Sequence, residues 1–239
     1  KTEYKTLEGH YVKELPFSSV NDARQFIDEY KYVDNFKIYG NDRFLYQYIS
    51  SKFPEEQMPY DSSQLRIYTV DIETTSENGF PNVAETSEEI LCLSVKDFTT
   101  KKIITWGTRE FTPKDTEYRL FWKEEDMLKD FLAWWVDNTP DIVTGWNVKL
   151  FDIPYICRRI ERVLSTKHQK SLSPWNKVFD KEVEIKGRNH IYYEIIGLSV
   201  LDYLDLYQKF TYKAQESYRL DYIAQQEIAH KKLDHSENE

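Results

Sequence analysis

A predominantly apolar segment, residues 65–70, leads directly into Asp71-Ile72-Glu73. The segment predicts a β-strand, in which side chains two residues apart point to the same face of the sheet. Asp71 and Glu73 should therefore project together while Ile72 packs behind them. Two carboxylates held close together repel each other, and a hard divalent cation relieves that repulsion. The alternative is a strand end whose acids simply meet water, and a lone Asp-x-Glu pattern is common enough to favour it.

The pattern after this strand predicts an α/β domain. Four short apolar segments are typical of strands: 90–95, 102–106, 141–144 and 199–202. Four segments with apolar side chains at helical spacing predict helices: 124–136, 153–164, 203–210 and 218–228. Residues 182–186 and 190–196, on either side of Gly187-Arg188-Asn189, predict a β-hairpin. Strands that come first and then alternate with helices indicate a mixed central sheet flanked by helices, with the hairpin as an insertion.

The N-terminal part differs from this main domain. Ser18 and Ser19 can cap a helix in which Ala23, Phe26, Ile27 and Tyr30 fall at helical spacing. A polar stretch with two prolines follows between residues 54 and 63. We therefore expect a small N-terminal region over 1–63 and a main domain over 64–239.

Composition limits the possible functions. The 239 residues are 40% hydrophobic, enough to bury a sizeable core, and no apolar run approaches the length of a membrane span. Cys92 and Cys157 lie far apart in apolar surroundings, which predicts buried thiols in a reducing compartment such as the cytoplasm. The net charge of −9 argues against bulk attraction to nucleic acid. Local binding stays open, because carboxylates that hold metal ions also make a chain acidic.

A second acidic motif runs from Thr144 to Asp152 as Thr-Gly-Trp-Asn-Val-Lys-Leu-Phe-Asp. A predicted strand ends there, a turn follows, and Asp152 stands at the start of a predicted helix. Aspartate is favoured as a helix N-cap, which would explain Asp152 but not the turn or Asn147. Sites in α/β proteins form where strands end, so both motifs suit a single site.

The two motifs resemble the first two exonuclease motifs of family B DNA polymerases. Asp-Ile-Glu after an apolar strand, then Gly-Trp-Asn-x-x-x-Phe-Asp-x-Pro-Tyr, is similar in particular to the replicative polymerases of T-even-type bacteriophages. Leu-Asp-Tyr-Leu-Asp-Leu-Tyr over residues 201–207 extends the likeness. The resemblance covers the chain from about residue 65 onward and implies a ribonuclease H-like exonuclease fold.

The resemblance implies a proofreading 3′→5′ exonuclease that uses two metal ions, Mg²⁺ or Mn²⁺. Asp71 would bridge both ions, Glu73 would hold the ion that bears the attacking water, and Asp152 would support the second ion. The implied partners are DNA, as a single-stranded 3′ end or a primer–template, and the rest of a polymerase chain. A sliding clamp and other replisome proteins are further candidates, and the implied location is the cytoplasm of a phage host.

The family's third motif, Tyr-x-x-x-Asp, is absent from the expected place. Tyr218-Arg219-Leu220-Asp221 has the wrong spacing, and the correctly spaced Tyr30 to Asp34 lies in the N-terminal region. The chain is therefore expected to be a fragment that stops before this motif, with three carboxylates of an expected four. Such a fragment should not polymerise, and its exonuclease activity should be weak.

Five residues are candidates for contacts with DNA: Phe80, Trp146, Asn147, Phe151 and Arg188. Phe80 and Trp146 lie near the motifs and suit stacking on a splayed 3′ end. Arg188 lies at the tip of the predicted hairpin, which in the resembling phage polymerases helps to part primer from template; plain extension of a sheet is the competing explanation. Residues 156–190 contain nine basic and four acidic side chains, which suits the DNA backbone or, equally, a solvated surface.

Three other functions fit parts of the pattern. A stand-alone exonuclease of this fold would need its third motif within the chain. A catalytically silent domain that binds DNA or a replication protein would not need its exonuclease carboxylates. Asp71, Glu73 and Asp152 are all present, which argues against that function. A ribonuclease H or an integrase shares the acids but not the second motif. The resemblance assigns Asp202 and Asp205, which also follow a strand, to the scaffold.

Overall fold

The computed structural model describes residues 4–39, 44–54, 61–77, 79–185 and 187–230. The chain divides into two compact units, Lys1–Tyr60 and Asp61–Glu239. This division lies close to the predicted boundary between residues 63 and 64. The roles of an N-terminal region and of an exonuclease domain over 64–239 stay predictions. Within the described ranges, no helix is long and apolar enough to cross a membrane.

The first unit contains two short antiparallel strands and two helices: β1 (Tyr4–Lys5), β2 (Tyr11–Val12), α1 (Val20–Tyr30) and α2 (Phe44–Lys52). The predicted cap of α1 is confirmed, because the Ser19 side chain accepts a hydrogen bond from the Asp22 amide at 3.1 Å. Phe26 and Tyr30 stack with ring centroids 4.6 Å apart. The predicted apolar face of α1 therefore forms an aromatic cluster.

Eight strands belong to the second unit: β3 (Ile67–Thr74), β4 (Ile90–Asp97), β5 (Ile103–Gly107), β6 (Glu117–Leu120), β7 (Ile142–Gly145), β8 (Val178–Ile185), β9 (Arg188–Ile195) and β10 (Ser199–Asp202). Six of them form one sheet in the order β10-β7-β3-β4-β5-β6. β4 pairs antiparallel with β3 and with β5, whereas the other three pairings are parallel. The predicted mixed central sheet is confirmed, and β6 is a strand that the sequence pattern did not predict.

The helical elements of the second unit are a 3₁₀ turn (Ser62–Gln64), α3 (Glu124–Asp137), α4 (Asp152–Val163), α5 (Thr166–Lys170), α6 (Tyr203–Phe210) and α7 (Leu220–Ile228). Helix α5 was not predicted. Helix α7 begins at Leu220 rather than at the predicted residue 218, because Arg219 is extended, with φ −67° and ψ 141°, and precedes the first helical turn.

The core of the second unit combines one face of the sheet with α3 and α4. Tyr68, Val70 and Ile72 of β3 are buried in it, together with Trp106 of β5. Trp106 meets Phe131 of α3 edge to face, with ring centroids 5.4 Å apart. Further core residues come from α4: Ile153, Tyr155, Ile156, Cys157 and Ile160. Burial of this apolar surface fixes which face of the sheet stays open.

Strands β8 and β9 form the predicted hairpin, paired antiparallel from Val178 opposite Ile195 to Ile185 opposite Arg188. β8 begins at Val178 rather than at residue 182, and Lys186 lies outside the described residues. Gly187 has φ +74°, a backbone region that favours glycine in a tight turn. Val178 and Ile195 are buried, so the base of the hairpin joins the core.

Candidate active site

Asp71 and Glu73 lie on the open face of β3. Exposure alternates along this strand, because Val70 and Ile72 are buried whereas both acids are exposed. On β4, Ser94 lies opposite Asp71 and Cys92 lies opposite Glu73. The prediction that the two carboxylates project together, with Ile72 packed behind them, is confirmed.

A buried carboxylate that the sequence analysis missed fixes the end of β3. The register with β4 shifts between Glu73 and Thr74. Glu88, only 5% exposed, accepts hydrogen bonds from the Thr75 hydroxyl and from the Glu77 amide. It thereby holds the chain where it leaves the strand just after the two acids. Nothing in the sequence separates this glutamate from an ordinary solvated one.

Backbone constraints shape the loop between β7 and α4. A Cβ atom on Gly145 would lie 2.8 Å from the Val70 carbonyl oxygen, so only glycine allows the two chains to approach this closely. Asn147 has φ 62°, a left-handed conformation that asparagine tolerates better than most residues. These constraints explain the turn and the asparagine that a helix cap alone left unexplained.

Asp202, at the end of β10, organises the same loop. Its carboxylate accepts hydrogen bonds from the amides of Asn147, Lys149 and Leu204 at 3.0, 2.9 and 2.9 Å. Asp202 is buried, whereas Asp205 is exposed and lies 3.9 Å from the Lys149 ammonium group. The structure therefore places Asp202 in the scaffold, as the resemblance implied.

Asp152 connects the two acidic motifs. It is the first residue of α4, the N-cap position belongs to Phe151, and no side chain caps the helix. The explanation of Asp152 as a helix cap is therefore wrong. Its Oδ1 instead accepts a hydrogen bond from the Ile72 amide at 3.1 Å, and the residue is 4% exposed. The carboxylate of the second motif is thus bonded to the residue between the two acids of the first.

Burial and neighbouring charge change the acidity of this region. Loss of hydration, followed by the charge of Asp71, raises the pKa of Asp152 to about 7, although the hydrogen bond from Ile72 opposes part of the rise. Burial, with the charges of Glu73 and Asp71, also raises the pKa of the Cys92 thiol. Negative charge therefore accumulates here, and a cation would offset it.

The three acids fit a divalent cation chemically, although they do not form a ready-made cage. Among the described residues, no group of three acidic, histidine or cysteine side chains is placed to hold a metal ion. Asp71 and Glu73 are exposed on the cleft side, whereas Asp152 is buried. Carboxylate oxygens are the ligands that Mg²⁺ and Mn²⁺ prefer. The assignment of Asp71, Glu73 and Asp152 as metal ligands stays a prediction.

Asp71 and Glu73 line a cleft of about 890 Å³. Trp146 and Asn147 of the second motif also line it, together with residues 217–221. This last segment includes Asp221. The spacing between Tyr218 and Asp221 does not match the third motif, so the sequence did not predict Asp221 as a site residue. Its place in the cleft could not be read from the sequence, because it depends on how the chain after α6 returns to the sheet.

The five residues predicted to contact DNA do not all lie in the cleft. Phe80 is 87% exposed, and its ring centroid lies 5.7 Å from that of Phe151. Trp146 and Asn147 line the cleft, where the Trp146 indole N–H donates to the Tyr218 carbonyl at 3.1 Å. Arg188 is exposed at the start of β9 and is not among the described residues that line the cleft.

Three arginines of α4 have a structural role. Each guanidinium group donates to a backbone carbonyl of the loop before β4: Arg158 to Ala84 at 2.6 Å, Arg159 to Thr86 at 2.9 Å and Arg162 to Glu85 at 2.7 Å. Arg159 also forms a buried ion pair with Glu124 at 2.6 Å. These side chains anchor residues 84–87 to α4. These three of the nine basic residues over 156–190 are therefore engaged by the protein itself, and DNA binding by this region stays a prediction.

The mixed sheet, the paired carboxylates on its central strand and the third acid at the start of α4 define a ribonuclease H-like exonuclease domain. Residues 33–223 match the profile for "DNA polymerase family B, exonuclease domain". The chain belongs to this family, which confirms the resemblance seen in the two motifs.

Relatives show the same affiliation. The DNA-directed DNA polymerase of Escherichia phage RB69 is 30% identical over 254 residues, covering 95% of this chain and 28% of the relative. The DNA-directed DNA polymerase of Enterobacteria phage T4 is 28% identical over 260 residues, covering 98% of this chain and 29% of the relative. The DNA polymerase catalytic subunit of Human herpesvirus 8 is 30% identical over 184 residues, covering 70% and 18%. The chain thus spans less than a third of the length of these relatives.

Proposed function

We propose that the chain hydrolyses the 3′-terminal phosphodiester bond of single-stranded or frayed primer DNA, as the proofreading 3′→5′ exonuclease of a DNA-directed DNA polymerase. The observation that carries the proposal is the 3.1 Å hydrogen bond between the Ile72 amide and Asp152, because it joins the two acidic motifs into one site beside the cleft. Asp71, Glu73 and Asp152 are the proposed catalytic residues.

The same three acids are the proposed ligands of two Mg²⁺ or Mn²⁺ ions. When bound, such ions supply an activated water and offset the charge on the reacting phosphate. Asp71 and Glu73 are exposed, so they can bind cations from solvent without a change in β3. Asp152 is buried and accepts the Ile72 amide through Oδ1, so we propose that it supports the second ion and also fixes the strand.

The aromatic side chains near the cleft support a substrate with unpaired bases. Phe80 is exposed and rests against Phe151, and Trp146 and Asn147 line the cleft. Stacking of a base on an aromatic ring contributes about 1–3 kcal/mol and needs a base that has left the double helix. A 3′ end that has frayed from its template meets this requirement.

The partners we propose follow from the phage relatives. RB69 and T4 DNA-directed DNA polymerases extend well beyond the region matched here. We therefore propose primer–template DNA and the rest of a polymerase chain as partners, a sliding clamp and other replisome proteins as further ones, and the host cytoplasm as the location. Tyr218-Arg219-Leu220-Asp221 does not have the spacing of the family's third motif, so we propose that these 239 residues hydrolyse DNA slowly.

A labelled oligonucleotide tests the reaction. With Mn²⁺ present, the chain should remove nucleotides one at a time from the 3′ end of a 5′-labelled single strand. Asp71→Asn should slow this by about 100-fold or more, because the charge that holds the cation is lost. Asp115→Asn removes an exposed acid outside the cleft and is the matched control. Calorimetry that gave equal Mn²⁺ affinity for Asp71→Asn and the unaltered chain would overturn the metal assignment.

A catalytically silent scaffold is the second candidate function. It is favoured by the finding that no three potential metal ligands converge within the described part of the chain. A longer chain that carries the third motif separates the two functions. If that chain bound single-stranded DNA but released no nucleotides with Mn²⁺, the scaffold would be the better description.

A further inference from the structure

We propose that Arg219 is a DNA-binding residue of the cleft, which contacts a backbone phosphate of the single strand next to the carboxylates. The inference rests on the proposed function. Arg219 lies just before α7, within the Tyr218–Asp221 segment. In the structure it lines the same cleft as Asp71 and Glu73.

The position of Arg219 is fixed relative to the second motif. The carbonyl of the preceding Tyr218 accepts a hydrogen bond from the Trp146 indole at 3.1 Å. The ring of Tyr218 meets that of Tyr207 edge to face, with centroids 6.4 Å apart. The carbonyl of Arg219 accepts the Ile223 amide at 3.0 Å as α7 begins. The backbone that carries the guanidinium group is therefore held on both sides, although the side chain itself is exposed.

The acidic side chains of the cleft would repel DNA, and Arg219 could offset this repulsion. Asp71, Glu73 and Asp221 all line the cleft, and three carboxylates repel a DNA phosphate. Arg219 brings a guanidinium group, whose planar donors match a phosphate in bidentate geometry. Leu220, 53% exposed, lies beside it in the same cleft and offers an apolar surface to a sugar or a base.

Two other cationic side chains near the two motifs have acidic neighbours, whereas Arg219 has no ion pair among the described residues. Arg159 is committed to Glu124, and Lys149 lies 3.9 Å from Asp205 and over the Tyr192 ring. Within the described residues, no carboxylate lies within ion-pair distance of Arg219. An exposed guanidinium group without such a partner, in an otherwise acidic cleft, points to an anionic ligand that arrives from solvent.

Binding of a fluorescent single-stranded oligonucleotide, measured by anisotropy in EDTA over a series of salt concentrations, tests the inference without any need for hydrolysis. Arg219→Ala should raise Kd about tenfold at low salt. The slope of log affinity against log salt should fall by about 0.7, the share of one phosphate contact to a single strand. Arg219→Lys should keep the slope and lose only part of the affinity, because an ammonium group replaces the charge but not the bidentate geometry. Arg109→Ala, an exposed arginine outside the cleft, should change neither quantity.

Kinetics with Mn²⁺ separate this inference from the proposed function. Arg219→Ala should raise KM about tenfold and change kcat by less than about twofold, because the contact is present before and during the reaction. If Arg219→Ala and Arg219→Lys both matched Arg109→Ala in Kd and in salt slope, Arg219 would not contact DNA. If no variant hydrolysed DNA but Arg219→Ala still lowered the affinity and the slope, the proposed function would fail and the role of Arg219 would stand. Should Arg219→Ala unfold, the partial loss expected for Arg219→Lys decides the question.

Discussion

At the residue scale, Asp152 is the side chain through which burial controls the site. It accepts the Ile72 amide while nearly all of its surface is withdrawn from water. Removal from water disfavours the charged form, and the neighbouring Asp71 disfavours it further. The hydrogen bond therefore keeps in place a carboxyl group whose pKa lies well above its ordinary value.

Titration of Asp152 should make the metal-free chain pH-sensitive. Its folded-state pKa of about 7 exceeds the ordinary value of 3.8, so the folded state binds more protons between these limits. The free energy of unfolding should therefore fall as pH rises from about 4 to 7, by up to about 4 kcal/mol. Asp152→Asn keeps the acceptor for Ile72 and removes the charge, so it should flatten this slope and be the more stable form at pH 8. Urea unfolding in EDTA across this range measures both effects, and an unchanged slope would contradict the assignment.

A second prediction at this scale concerns Asp202. Asp202→Ala would leave three partly buried amides, those of Asn147, Lys149 and Leu204, without their acceptor. We expect a loss of about 2–4 kcal/mol in the free energy of unfolding. Asp205→Ala, an exposed acid with one long ion pair, should cost less than about 0.5 kcal/mol. Denaturant unfolding of the two variants side by side measures the difference, and equal losses would argue against the scaffold role.

At the element scale, buried charge ties α3 and α4 to the segment before β4. Glu124 of α3 accepts the Ile90 amide at 2.8 Å and pairs with Arg159 of α4. Arg159 also donates to the Thr86 carbonyl at 2.9 Å. Two helices and one loop thus share a single ion pair.

Arg159→Met tests this connection. The variant would leave Glu124 buried without a countercharge, and we expect it to lower the free energy of unfolding by about 3–5 kcal/mol. Arg162→Ala removes one hydrogen bond to the Glu85 carbonyl and should cost only about 1 kcal/mol. Thermal and urea unfolding of both variants measure the contrast. Similar small losses would mean that the pair contributes little.

Elements with a clear period were predictable from the sequence, whereas contacts between them were not. Strand β3 alternates in burial as its letters suggest, and the face that carries Asp71 and Glu73 followed from it. Strand β6 (Glu-Tyr-Arg-Leu) lies at the sheet edge and is short and mostly polar. Its sequence therefore has no apolar alternation that would predict a strand. Glu88 and Arg159 look like solvent-facing charges in a sequence, because their burial depends on contacts with distant parts of the chain.

At the scale of the whole molecule, the hydrophobic core cluster of the described residues lies in the second unit. Its buried members run from Tyr68 to Ile195, whereas Ala23 is the one buried hydrophobic residue in the described part of the first unit. Stability at this scale should therefore come mainly from residues 61–239, since burial of apolar surface is the dominant favourable contribution.

Removal of the first unit tests this expectation. A chain of residues 61–239 should fold cooperatively, with a Tm within about 5 °C of that of the full chain, because the core cluster is unchanged. Calorimetry and circular dichroism of the two chains measure the shift. A shorter chain that failed to show a cooperative transition would mean that the first unit contributes to the core.

The alternation along β3 also determines where this chain can change in length. One residue inserted between Val70 and Asp71 would turn every later side chain of the strand to the opposite face, because the period is two. The acids would move into the core and Ile72 would move into the cleft. Among the strands that the structure describes, β8 and β9 pair only with each other, so we expect that the hairpin can be lengthened or shortened at its tip without moving any carboxylate of the site. Insertions and deletions should therefore be tolerated at that tip and rejected within a few residues of Asp71.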